Sequence, residues 1–263
     1  MINHGLTPQE IFFYRFLIAY LGIWVISPKR LFTNNWQDEL WLVAGGIFGG
    51  SLYFFTENTA LGITQASNVS FIICTAPLLT TILSLLFYKS EKASKGLIYG
   101  SLLALMGVGL IVFNGSFVLK ISPIGDLLTL LAALSWAFYS LIIKKMAGRY
   151  PTVFITRKIF FYGVLTILPA FLLHPLQPDT AVLLQPAVLF NLLFLAVLAS
   201  LICYVLWNLV LKQLGTVRAS NYIYLNPLVT MIASFLILDE KITLVALGGA
   251  ACIVCGVYWA EKK

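Results

Sequence analysis

The chain has 263 residues, 60% of them hydrophobic and 10% charged, with a mean hydropathy of +0.94; a soluble domain carries about 25% charged residues. So few polar side chains cannot cover a water-facing surface, which excludes soluble enzymes, secreted modules and disordered chains. Lys and Arg outnumber Asp and Glu by 17 to 10, for a net charge of +7, yet the basic residues lie between long apolar runs and form no stripe for nucleic acid, so an all-α integral membrane protein is expected.

Runs of about 20 apolar residues, the length that crosses a bilayer, occur at 8–27, 40–56, 66–88, 97–113, 124–143, 153–173, 187–211, 219–238 and 243–260. They predict nine transmembrane helices with mostly short connections. None alternates with period two, so a membrane β-barrel is excluded. The first run contains Glu10 and Arg15, unlike the basic start and uninterrupted apolar stretch of a signal peptide. Cys74, Cys203, Cys252 and Cys255 all lie in apolar runs and read as small hydrophobes. Neither the Cys252–Cys255 spacing nor His4 and His174 forms a ligand set, so no metal or cofactor is expected.

Cytoplasmic loops carry the excess of Lys and Arg. One set of alternate loops holds Lys29, Arg30, Lys89, Lys92, Lys95, Lys144, Lys145, Arg149, Lys212, Arg218, Lys262 and Lys263; the opposite set holds Lys120 and Lys241. This asymmetry predicts a cytoplasmic C-terminus and, with nine spans, an external N-terminus in a multi-pass protein of a bacterial plasma or inner membrane.

The sequence matches itself at an offset of 150, pairing Asn58 with Asn208, Ser70 with Ser220, Pro77 with Pro227 and Thr80 with Thr230. After one gap the offset is 149, pairing Glu91-Lys92 with Glu240-Lys241 and Gly107-Val108 with Gly256-Val257. The halves are therefore 1–114, with four spans, and 115–263, with five; the run 124–143 has no partner in the first half. An odd number of spans per full repeat inserts the halves with opposite orientation. Such inverted repeats build secondary transporters with a site near the bilayer midplane.

The stretches Thr75-Ala76-Pro77-Leu78 and Leu225-Asn226-Pro227-Leu228, with Ser90-Glu91-Lys92, Leu238-Asp239-Glu240-Lys241-Ile242-Thr243 and Ala132-Ala133-Leu134-Ser135-Trp136-Ala137, resemble the EamA branch of the drug/metabolite transporter superfamily. The resemblance covers essentially the whole chain. It implies ten helices with both termini cytoplasmic, so this sequence reads as lacking the first.

Candidate cavity residues are Glu57, Asn58, Trp136, Tyr139, Ser140, Tyr204, Trp207, Asn208 and Tyr224, with Pro77 and Pro227 as helix-breaking positions. An acid adjoining an apolar span is costly and points to a protein interior or a water-filled path; Glu57 suits a proton-binding step or, alternatively, caps its helix end. Asn58 and Asn208 can bind a polar substrate or pin helices together. Trp136, Tyr139 and Ser140 share one helical face, as do Tyr204 and Trp207 with Asn208 one residue on; such rings line pockets for amphipathic substrates or pack as interfacial belts. Arg15 and the Arg157-Lys158 pair can attract an anion, although snorkelling to the headgroups is the cheaper fate for long basic chains. Asp38 and Glu39 read as loop residues.

No H-E-x-x-H, G-x-S-x-G or nucleotide-binding loop is present, so the chain is not expected to be an enzyme or an ATP-driven pump. The expected function is secondary transport or export of small organic metabolites, amino acids or drug-like compounds among them, by alternating access, with the proton as candidate coupling ion and the protein a monomer or homodimer. The competing readings are an intramembrane enzyme using a polar cleft and a non-transporting membrane subunit.

Overall fold

The computed structural model describes residues 6–28, 32–88, 94–113, 122–173, 175–176, 180–238 and 242–262. Among them the long helical runs are α1 (Pro8–Ile26), α2 (36–63), α3 (Ala66–Phe87), α4 (Lys95–Phe113), α5 (Pro123–Ala147), α6 (Thr152–Leu172), α7 (Pro186–Leu214), α8 (Thr216–Ile237) and α9 (Leu244–Glu261). All except α2 are long and apolar enough to cross a membrane, and no strand occurs among the described residues. The expected span 40–56 lies within α2, which carries Asp38, Glu39 and Glu57. The Ser90-Glu91-Lys92 and Asp239-Glu240-Lys241 turns lie outside the described residues.

Local chemistry fixes the helix starts. Thr7 and Glu10 form a reciprocal capping box: the Glu10 amide donates to Thr7 Oγ1 at 3.3 Å and the Thr7 amide to Glu10 Oε2 at 2.9 Å. Asn35 accepts from the Asp38 amide at 2.8 Å and starts α2 at Trp36. Asp38 and Glu39 are therefore helical rather than loop residues. Their charge in the first turn opposes the positive end of the helix dipole, which favours the earlier start. Thr243 caps α9 through the Ala246 amide at 3.1 Å.

Five runs are locally irregular, α6 among them through a turn at Leu168 and Pro169. A turn at Cys74 and Thr75 breaks α3 just before Pro77, and a 3-10 segment, Tyr222–Leu225, breaks α8 just before Pro227. Proline removes an amide donor and restricts its predecessor, so both breaks sit where the sequence places them. Helix α2 contains a π segment at Ile47–Ser51 and α7 a longer one at Phe194–Ile202.

The chain forms two compact units. The first comprises Met1–Asn58 and Phe138–Gln213, the second Thr59–Ala137 and Leu214–Lys263. Each draws helices from both sequence halves, so the spatial units interleave the divisions 1–114 and 115–263. In the first unit, Phe12, Phe16, Ala19 and Ile23 form the buried face of α1, with Phe16 and Phe160 ring centroids 5.0 Å apart.

In the second unit α4 and α9 pack through small residues. A Cβ added at Gly107 would lie 2.5 Å from the Gly249 carbonyl oxygen, and one at Gly249 would lie 2.7 Å from that of Gly107. Within lipid, such close backbone approach supplies dispersion contact that burial from water cannot. Ala104, Val108, Ile253 and Val257 continue this seam into an apolar core that also takes Cys74 and Tyr224.

Candidate functional site

Within the first unit, polar side chains from five helices lie among aromatic rings. Helix α7 supplies Ser200, Tyr204 and Asn208 at steps of four residues, all buried, so they form one stripe along the helix. Helix α2 supplies Tyr53, Phe54 and Glu57; α5 contributes Tyr139 and α6 Thr156 and Phe160. Arg15 enters from α1, beside Phe12 and Phe16.

Tyr139 Oη donates to Asn208 Oδ1 at 2.7 Å, and Asn208 Nδ2 donates to Thr156 Oγ1 at 2.9 Å. Thr156 Oγ1 donates onward to the Thr152 carbonyl at 2.9 Å. Tyr204 Oη donates to the Gly49 carbonyl at 2.6 Å. Gly49 belongs to the π segment of α2, and the Tyr139 ring occupies the space that a Cβ there would need. Glycine at this position lets the backbone oxygen meet Tyr204 while the ring packs against it. The Tyr204 ring lies 5.4 Å from Phe160 and 5.6 Å from Phe16, centroid to centroid.

Two opposite charges complete the cluster. Arg15 Nε donates to Ser200 Oγ at 2.8 Å, and its guanidinium carbon lies 4.5 Å from the Phe54 ring centroid. Glu57 Oε1 accepts from Tyr53 Oη at 3.0 Å. Both charged residues are partly exposed. They form no ion pair with each other, although the Arg15 charge acts on the Glu57 carboxylate at longer range. Arg15 therefore faces polar and aromatic partners in the protein rather than reaching for headgroups.

A second polar group gathers where α2 and α6 begin. Lys158 forms an ion pair with Glu39, and Tyr162 donates to the same carboxylate. Asp38 accepts from Arg149 at 2.6 Å and from Tyr150 Oη at 2.8 Å. Arg157 donates to the Ser27 carbonyl. Arg157 and Lys158 are both buried, which overturns snorkelling for the pair: acceptors on α2 and the end of α1 compensate their charge inside the protein.

The sequence-derived candidates divide between the units. Glu57, Asn58, Tyr139, Ser140, Tyr204, Trp207 and Asn208 belong to the first; Trp136, Tyr224, Pro77 and Pro227 belong to the second. Tyr139, Ser140, Tyr204 and Asn208 are buried, while Asn58, Trp207 and Trp136 are partly exposed. Tyr224 is fully enclosed by Cys74, Ala104, Val108, Ile253 and Val257; its ring is a core element of the second unit and leaves the candidate cluster. Tyr53, Ser200 and Thr156 join it. Their signal in the sequence is spacing: Tyr53 stands four residues before Glu57, and Ser200 four before Tyr204.

The EamA-like transporter family profile matches residues 1–113 and 123–260. An uncharacterized transporter of Archaeoglobus fulgidus is 30% identical over 98% of this chain and 89% of its own length. A probable amino-acid metabolite efflux pump of Escherichia coli is 23% identical, covering 97% of this chain and 86% of the pump. A solved crystal structure aligns with a TM-score of 0.80 at 18% identity, over 98% of this chain and 88% of that one, and shows the same fold.

Proposed function

Because the chain belongs to the EamA-like transporter family, we propose that this membrane transporter of small molecules exports zwitterionic metabolites of the amino-acid type, with Arg15 and Glu57 as the charged pair of its binding site. The single observation that carries the reading is their arrangement. Opposite charges belong to one aromatic cluster, Arg15 over the Phe54 ring and Glu57 on the hydroxyl of the adjoining Tyr53, each with a neutral hydrogen-bonding partner, and neither neutralises the other by contact. A substrate bearing a carboxylate and an ammonium supplies both missing counter-charges. The carboxylate takes the planar donors of Arg15; the ammonium approaches Glu57 and the faces of Phe54 and Tyr204. The Escherichia coli relative named as a probable amino-acid metabolite efflux pump supports this substrate class and the outward direction.

On this reading the chain transports without chemical conversion, works by alternating access between inverted halves, and uses Glu57 as the proton-coupling acid. It spans a bacterial plasma membrane nine times, α2 included, with its C-terminus in the cytoplasm. Counterflow in proteoliposomes tests the substrate class. A labelled neutral amino acid should be displaced by other zwitterions, and much less by its amide or by the matching 2-oxo acid, each of which keeps one charge. In Arg15→Gln the advantage of the zwitterion over the amide should vanish. Equal competition by uncharged analogues would overturn the assignment.

A further inference from the structure

The second unit carries an open groove of about 730 Å³ between the start of α4 and the end of α9. Along α4 its wall is formed by Lys95, Tyr99, Leu102 and Met106, spaced at four, three and four residues and so on one helical face. Tyr99, Leu102 and Met106 are 63%, 51% and 56% exposed, and Trp259 on the opposite wall is 54% exposed. Lys262 stands beside Lys95 at the same end of the groove, and both are exposed.

This stripe has the profile of half a bilayer. At 1.5 Å per helical residue, Lys95 to Met106 covers about 16 Å, close to the ~15 Å of one leaflet's hydrocarbon. Apolar side chains fill the inner stretch. Two amphipathic rings stand nearer the end, where Tyr and Trp prefer the interface. Two cations lie at the end itself, at headgroup level, where basic pockets between helices take anionic headgroups.

We infer that this groove is a binding site for an anionic phospholipid of the surrounding membrane, with an acyl chain along Tyr99, Leu102 and Met106 and the phosphate between Lys95 and Lys262. A second copy of the chain fits less well, because a two-fold contact on this face brings the same two lysines towards their own counterparts. The site is separate from the Arg15–Glu57 cluster, which belongs to the other unit.

Bromine-quenched tryptophan fluorescence tests it on the intact protein in mixed micelles. The signal of Trp259 is the difference between the wild type and Trp259→Phe, titrated with brominated phosphatidylglycerol or brominated phosphatidylcholine. Quenching of Trp259 should reach half-saturation at a lower fraction of the anionic lipid, by about five-fold per lysine. Lys95→Gln with Lys262→Gln should remove the preference, and Lys95→Arg with Lys262→Arg should keep it. Equal half-saturation for the two lipids in the wild type overturns the proposal without reference to any variant. So does a preference that survives the double glutamine substitution, or disulfide-linked dimers formed through Met106→Cys in bilayers rich in the anionic lipid.

Discussion

Tyr139 Oη and Asn208 Oδ1, 69 residues apart in the sequence, lie 2.7 Å apart and are both enclosed by the first unit. The asymmetry of buried hydrogen bonds makes their two deletions unequal. Tyr139→Phe strands one buried acceptor, Asn208 Oδ1, and leaves Asn208 Nδ2 its bond to Thr156. Asn208→Ala leaves two hydroxyls without their amide and opens a small void. Each stranded buried partner costs about 1–3 kcal/mol, and only Asn208→Ala adds the cost of a void and breaks two bonds at once. Asn208→Ala should therefore lower the thermal midpoint in detergent more than Tyr139→Phe. The double variant should cost less than the sum, which a double-mutant cycle measures.

The ion pair between Lys158 and Glu39 gives a sharper contrast. The two side chains are 5% and 19% exposed, so removing one partner strands the other. Lys158→Met alone should destabilise by about 3–5 kcal/mol. Lys158→Met with Glu39→Gln should recover much of that loss, because Tyr162 and Thr33 can still serve the neutral amide. Thermal unfolding of the three variants decides it, and a double variant no better than Lys158→Met would show that the pair itself is not the source of stability.

The α4–α9 seam responds to volume rather than charge. Leucine at Gly107 must displace the Gly249 backbone, since even a Cβ would sit 2.5 Å from that carbonyl oxygen. Overpacking of this kind costs about 1–3 kcal/mol or more. Gly248, where an added Cβ meets nothing within 4 Å, is the internal control: Gly248→Ala should hold or raise the thermal midpoint, and Gly107→Leu should lower it by several degrees.

The helical runs were legible because bilayer thickness dictates their length and composition, and the breaks before Pro77 and Pro227 were legible because proline chemistry is local. The early start of α2 was legible only in part. Asn35 is a good cap, but hydropathy alone placed the start beyond Glu39. The inward course of Arg15 and the burial of Lys158 were not legible, because a basic residue in an apolar run reaches outward unless an acceptor waits inside. Those acceptors, Ser200 and Glu39, are 185 and 119 residues away. The π segments at 47–51 and 194–202 left no comparable trace beyond Gly49-Gly50. In the cluster, Tyr139, Tyr204 and Asn208 were found from helical spacing, whereas Tyr224 has the same chemistry and packs in an apolar core. Residue type did not separate the two; the neighbours did.

Glu57→Gln isolates the coupling step. Glutamine keeps the length of the side chain and its ability to accept from Tyr53 Oη, while removing the titration. If Glu57 carries the proton, a pH gradient should drive accumulation in wild-type proteoliposomes and not in Glu57→Gln, and exchange without a gradient should continue in both. Substrate affinity is the discriminating second readout, because Glu57 is also proposed to face the ammonium. A carboxylate that serves both proton and substrate makes the two compete, so wild-type affinity for a zwitterion should fall as pH is lowered and the acid becomes protonated, each protonation event removing the counter-charge. In Glu57→Gln the affinity should be weaker at neutral pH and flat with pH. Tyr53→Phe removes the hydroxyl that donates to Glu57 and leaves the acid in place, so it should keep a sloping profile where Glu57→Gln is flat. A Glu57→Gln protein that still accumulates substrate down a proton gradient would assign coupling to another group and reduce Glu57 to a binding residue.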